Sequence, residues 1–361
     1  MHKLAIALTV FLYAFATSGV GAQGSDETNL TPVIGILAKP SEYTQYPIND
    51  WNYLAASYVK YVEAAGARVV PVQWDLPLAN LTRIMRSLNG FLITGGSAAI
   101  VHPDNRTLTP FGIAIQNIVN NVIQFNNEGT HYPLWGTCMG YQLIACIIAG
   151  QSSGDYNCLY PQKGFSHVPT NMSFFPGSEK HLIFSKMTED VHQAFLHDGI
   201  IYFNFGSTVK LDLWETNPGL KSNFSRLSYV QAPEGTNITV LIAGTKYPIF
   251  GSQFHPEKIQ FEWRLPTIPH SPQAVLASQM YANFFVDEAR KNFNTFEGSG
   301  LDLDSLVIYN YNPIHLPDDS FEQVYFFKRI NPGPPYSSIK IKENKHFLDL
   351  DDLDTQVLLN H

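Results

Sequence analysis

The stretch Trp135-Gly136-Thr137-Cys138-Met139-Gly140 constrains the fold more than any other. Before it, Tyr132 to Trp135 is a short apolar run that reads as a buried strand. After it, Tyr141 to Ile148 is a run of helical length that stops at Gly150. A reactive side chain flanked by glycines between a strand and a helix reads as a nucleophile elbow. The tight turn leaves no room for bulk on either side and pushes the central side chain out at the carboxyl end of the sheet. A helix that starts there offers a dipole that favours a thiolate and N–H groups that can receive an oxyanion. The plainer alternative is a buried structural cysteine after a strand, since free cysteines are among the most buried residues.

The rest of the chain supplies alternating elements. Val33 to Leu37 reads as a strand, Asn52 to Ala65 as a helix closed by Gly66, and Arg68 to Val72 as a strand. Leu81, Ile84, Met85 and Leu88 mark a helix, and Phe91 to Thr94 a strand followed by Gly95-Gly96. Ile115, Ile118, Val119 and Val122 mark a further helix before the elbow. Alternation of this kind implies an α/β fold: a mainly parallel central sheet covered by helices on both faces. Reactive groups should then gather at the carboxyl ends of the strands. From about 151 to 235 the periodicity weakens, with short strands such as Leu182 to Phe184 and Leu227 to Gln231. Ile238 to Ala243 and Tyr247 to Phe254 read as a hairpin around Gly244-Thr245, and Ser271 to Lys291 as the last long helix.

The strand Tyr247 to Phe254 delivers His255-Pro256-Glu257. A thiol nucleophile needs a base, usually histidine, and a carboxylate two residues on can hold the imidazole in the right tautomer. Alone, H-P-E is more often a turn with a surface histidine; with the cysteine elbow, in the order Cys…His…Glu, it becomes specific. Here the chain resembles the class I glutamine amidotransferase superfamily, and within it is most similar to the gamma-glutamyl hydrolases. The likeness rests on Pro32 to Leu37, Ala55 to Pro71, Gly95-Gly96-Ser97, Trp135 to Gly140, Tyr247 to Lys258 with Glu262-Trp263, and Phe284 to Asn292. It covers roughly residues 32 to 329, read as one catalytic domain of flavodoxin-like layering.

The resemblance implies acyl transfer to Cys138 with His255 as base and Glu257 as its orienting partner. Backbone N–H groups of Gly96 and Met139 would receive the oxyanion beside Gly95, and Gln142 would touch the substrate. It implies folate polyglutamates as substrate, no cofactor, no metal and a homodimer. Two departures stand out. The family usually carries glutamate four residues after the nucleophile, where this chain has Gln142. It also usually carries an N-[FH]-H motif in the middle section, where this chain has Phe203-Asn204-Phe205-Gly206. Gln142→Glu is expected to preserve or improve hydrolysis of glutamate chains. Three readings follow: a γ-glutamyl peptidase, a weakly active relative that binds γ-glutamyl ligands, and a glutaminase. A signal peptide and the lack of a synthetase domain speak against the last.

Residues 1 to about 22 read as a signal peptide: Lys3, an apolar run from Leu4 to Ala16, then Val20-Gly21-Ala22. That apolar run is short for a membrane span of ~20 residues. Six N-x-S/T sequons agree with a secretory route, extracellular or lysosomal: Asn29, Asn80, Asn105, Asn171, Asn223 and Asn237. Asn217 is followed by proline and is excluded. The net charge of −8 and the lack of a basic cluster argue against nucleic acid. Three cysteines are too few for a disulfide framework. Cys146 reads as a core residue and Cys158, in a polar loop, as free. The histidines His102, His131, His167, His181, His192 and His197 lack metal-ligand spacing and read as surface or structural residues. Residues 331 to 361, with Pro-Gly-Pro-Pro, a lysine-rich piece and an Asp/Leu run, read as a tail outside the core.

Overall fold

A computed structural model describes residues 27–102, 107–316 and 321–331. The segment read as a signal peptide, Asn105 and the residues beyond Asn331 lie outside the described residues. The chain opens with β1 (Val33–Pro40), β2 (Trp51–Ala55), α1 (Ala56–Ala64), β3 (Arg68–Gln73), α2 (Leu78–Met85) and β4 (Gly90–Ile93). It continues with α3 (Pro110–Asn127), β5 (Leu134–Thr137) and α4 (Met139–Ser153). The middle section holds β6 (Leu159–Pro161), β7 (Val168–Thr170), β8 (Ser173–Phe174), α5 (Glu189–His197), β9 (Ile201–Phe203), β10 (Ser207–Val209), α6 (Leu213–Thr216) and α7 (Pro218–Asn223). Then follow β11 (Phe224–Gln231), β12 (Asn237–Gly244), β13 (Ile249–Ser252), α8 (Lys258–Phe261), α9 (Pro272–Ala289), β14 (Ile314–His315) and β15 (Gln323–Lys328).

Five strands form a parallel core in the order β3-β1-β4-β5-β13. Counted along the chain that is 2-1-3-4-5, the flavodoxin-like order, whose crevice lies beyond the carboxyl ends of the strands. Antiparallel β12, β11 and β8 extend one side. On the other side β1 runs on past Ala38 to pair with β2, which pairs in turn with β15. Alternate residues of β1 serve opposite faces. Ile34 and Ile36 join the core built with α1 and α9, whereas Val33 and Leu37 join the core built with α2, α3 and α4. This is the pattern of strands buried on both sides. Thr109 caps α3 by accepting the Gly112 N–H at 3.0 Å, with Pro110 in the first turn, where a missing N–H costs nothing. Among the described residues no helix is long and apolar enough to cross a membrane.

Several boundaries differ from the sequence reading. The helix expected from Asn52 begins only at Ala56, because residues 51–55 are claimed as a strand by partners on both edges, β1 and β15. Leu182–Phe184 is a 3-10 turn, not a strand. Helix α4 passes through Gly150, whose Cα hydrogens face Tyr156, and ends at Gly154 with a φ of +73°. Cys146 and Cys158, expected to be unpaired, form a disulfide with a Cα–Cα distance of 5.3 Å. The polar composition around Cys158 concealed a residue that is 1 % exposed and stapled to α4.

Candidate active site

Cys138 stands at the end of β5, between that strand and α4, with φ +52° and ψ −107°. A side chain other than glycine persists there only when its surroundings enforce it. Two glycines do so. A Cβ on Gly136 would lie 2.6 Å from the Gly140 carbonyl group, and one on Gly140 would lie 2.1 Å from the Ile93 carbonyl oxygen. Their absence lets the first turn of α4 press onto β4 and β5. The Cys138 N–H donates to Ser252 O on β13 at 2.6 Å, and the Gln142 N–H donates to Cys138 O at 3.1 Å. The elbow is thus pinned to the strand that brings in the histidine.

His255 and Glu257 follow β13 and are buried, Glu257 completely. His255 Nδ1 lies 2.7 Å from Glu257 Oε1. The His255 N–H donates to Tyr202 O at 3.0 Å. The intervening turn is tied to α9, where the Ser278 hydroxyl donates to Pro256 O at 2.7 Å. Burial alone would drive the imidazole toward its neutral form. The Glu257 carboxylate, followed by the charge and hydrogen bond of Cys138, outweighs that and raises the His255 pKa to about 9.

Gly95 is the contact point of the group. A Cβ there would lie 2.9 Å from His255 Cε1 and 3.3 Å from Cys138 Cβ. Its N–H donates to the Tyr58 hydroxyl at 2.8 Å. The elbow, the H-P-E turn and the Gly95-Gly96 loop therefore meet at the carboxyl ends of three neighbouring parallel strands. Met139 and Gln142, buried in the first turn of α4, complete the group of residues anticipated from sequence.

Other members went unnoticed in the sequence. Tyr58 reads as one residue of an apolar helical stripe, yet its hydroxyl reaches the site. Burial, then the charges of Glu257 and Cys138, push its acidity well down, so it stays a neutral phenol. Gln253 Nε2 donates to Cys138 Sγ at 3.7 Å, and Asn204 O lies 3.7 Å from the same sulfur. Gln253 sits two residues before His255 on the same extended run, which was the available signal. His167 is half-buried with a φ of +54°, and its Nδ1 lies 2.9 Å from the Tyr202 hydroxyl. Its pKa is lowered by burial, then by Lys258 and His255, and Tyr202 links it to the site, since the Tyr202 carbonyl accepts the His255 backbone N–H. His197 is exposed at the end of α5.

The family model for Peptidase C26 matches residues 32–172. Gamma-glutamyl hydrolase B of Dictyostelium discoideum is 33 % identical over 321 residues, covering 88 % of this chain and 89 % of that protein. The gamma-glutamyl hydrolase of Mus musculus is 31 % identical over 298 residues, covering 82 % of this chain and 89 % of that one. The human gamma-glutamyl hydrolase is 31 % identical over 303 residues, with 83 % and 91 % covered. The chain belongs to the gamma-glutamyl hydrolase family. It is a hydrolase.

Two positions set it apart from the gamma-glutamyl hydrolase pattern described above. Gln142 Nε2 donates both to Ser207 O and to Gln253 Oε1, the latter at 3.1 Å. A glutamate there would turn a carboxylate toward two acceptors, a local cost in stability that the expectation for Gln142→Glu did not include. Gly206, the position at which the resemblance leads one to expect histidine, has no atom within 4 Å of a Cβ built on it. The preceding Phe205 instead stacks on Phe165, with ring centroids 4.9 Å apart.

Proposed function

We propose that this protein cleaves γ-glutamyl bonds in poly-γ-glutamate chains, folate polyglutamates foremost, through a γ-glutamyl thioester on Cys138. The observation that carries this reading is the left-handed Cys138 elbow set beside a buried His255 whose Nδ1 is 2.7 Å from Glu257. The sulfur attacks the γ-carbonyl carbon, and the oxyanion is received by the N–H groups of Gly96 and Met139. The C–N bond breaks as the His255 imidazolium gives its proton to the leaving amine. Water then attacks the thioester, His255 takes its proton, and the C–S bond breaks. Glu257 keeps the imidazole oriented and favours its charged form.

The same reading puts the protein in the secretory pathway, bound for the exterior or the lysosome. The Cys146–Cys158 disulfide supports an oxidising route. Asn80, Asn171 and Asn237 are exposed and are the favoured glycan carriers. Asn29 Nδ2 donates to Asn292 O at 3.0 Å and Asn223 Nδ2 donates to Gly219 O at 2.8 Å, so these two amides are engaged within the fold. A homodimer belongs to the proposal as well.

The deciding experiment incubates the protein with folate pentaglutamate and, separately, with glutamine at acidic and neutral pH. Shortened folates without ammonia are the expected result. Ammonia from glutamine alone would make it a glutaminase. No product, with Cys138 still alkylatable, would leave a binding role.

A further inference from the structure

Lys39 is a cation held inside the molecule, its side chain 4 % accessible, at the carboxyl end of β1. Its Nζ lies 2.8 Å from Glu42 Oε1 and 4.3 Å from the centre of the Tyr53 ring. Glu42 links three segments. The same Oε1 accepts the Ser97 N–H at 3.0 Å, and Oε2 accepts the Tyr53 hydroxyl at 2.8 Å. The ammonium is also set against the glycine loop. A Cβ on Gly96, whose φ is +146°, would lie 1.7 Å from Lys39 Nζ. Burying a lysine is costly unless it is paired. This one is buried where the loop after β4 turns toward Cys138.

We propose that the Lys39–Glu42 pair is a positioning device that fixes the Gly96–Ser97 peptide in the geometry needed to receive the oxyanion. The proposal rests on the role given above to Gly96. Glu42 grips the loop from one side through the Ser97 N–H, while the Lys39 stem fills the space a side chain at Gly96 would occupy. The titratable groups facing Glu42 are Lys39 from β1 and Tyr53 from β2. Burial raises the Glu42 pKa, but Lys39, with the Ser97 and Tyr53 hydrogen bonds, brings it below the usual value, so the grip persists in an acidic compartment.

The test compares Lys39→Met, Glu42→Ala and the double variant, with kcat normalised to the Cys138 thiol that iodoacetamide titrates. Each single variant is expected to lose at least about tenfold in kcat, with KM for folate diglutamate within about threefold. Removing one oxyanion donor outright typically costs 10²–10³-fold, and misplacing one costs less. Alkylation of Cys138 should keep its wild-type rate, since the thiol does not depend on the loop. The double variant should be no slower than the slower single, because the pair acts as a unit. A raised KM with unchanged kcat would overturn the proposal and make Lys39 a binder of a substrate carboxylate. Unchanged kcat and KM would also overturn it. Should Lys39→Met fail to fold, Glu42→Ala carries the test, since its side chain is 29 % accessible. Activity surviving in Cys138→Ala would defeat the proposed function itself, which the alkylation readout keeps distinct.

Discussion

His255 holds its proton far more tightly than an imidazole in water, and the cause is local. Burial opposes the charge, while the Glu257 carboxylate and Cys138 favour it. Because the folded pKa, about 9, lies above the unfolded value, the stabilisation is complete below the unfolded pKa and is lost as pH rises through about 9. In the proposed mechanism the leaving amine takes that proton, so kcat/KM is expected to fall as pH rises through about 9. Glu257→Gln should move this limb to lower pH, as a pH–rate profile would record. A limb that stays in place would reject Glu257 as the source. Replacing the base itself, His255→Asn, should lower kcat ~10²–10⁴-fold, read as glutamate release. Gln142→Glu should cost about 1–3 kcal/mol by leaving buried acceptors facing a carboxylate, measured by urea unfolding. The triad was legible because each residue lies in a short local motif. Tyr58 and Lys39 were not, since it is the folded chain that brings their hydroxyl and ammonium groups to Gly95 and Gly96.

Elements carry the elbow, and glycine is the reason they meet. Gly140→Ala would drive a Cβ to 2.1 Å from the Ile93 carbonyl oxygen, a backbone atom with no freedom to swing aside. A loss of roughly 1–3 kcal/mol is expected from such overpacking, with slowed Cys138 alkylation as the elbow opens; wild-type values for both would refute the account. The parallel strands were readable because continuous apolar runs fit only strands buried on both faces. The start of α1 was not. Residues 51–55 carry the same apolar pattern as the helix that follows, and their pairing with β15 joins positions more than 260 residues apart, as in Leu54 with Tyr325. No local signal encodes a contact of that span.

At the scale of the whole molecule, the disulfide joins α4 to the irregular middle section. Cys158 directly precedes β6, β6 pairs with β10, and the segment leading into β10 carries Asn204, whose carbonyl faces Cys138. Replacing both cysteines with alanine is expected to lower the unfolding free energy by about 2–4 kcal/mol, measured by denaturant titration. It should also loosen the wall around the nucleophile, detectable as faster amide exchange over residues 159–209; unchanged exchange would mean the clasp does not brace that wall. The pairing was hidden in the sequence because three cysteines leave the choice of partners open. The structure resolves it and leaves Cys138 the chain's one unpaired thiol. Cys138 immediately precedes α4 and Cys146 lies eight positions further on, about 12 Å along the helix axis, so the clasp is out of reach for exchange with Cys138. The chain carries its own protection against thiol scrambling. Inactivation by oxidation must then come from a molecule small enough to reach a thiol that is itself only 5 % exposed.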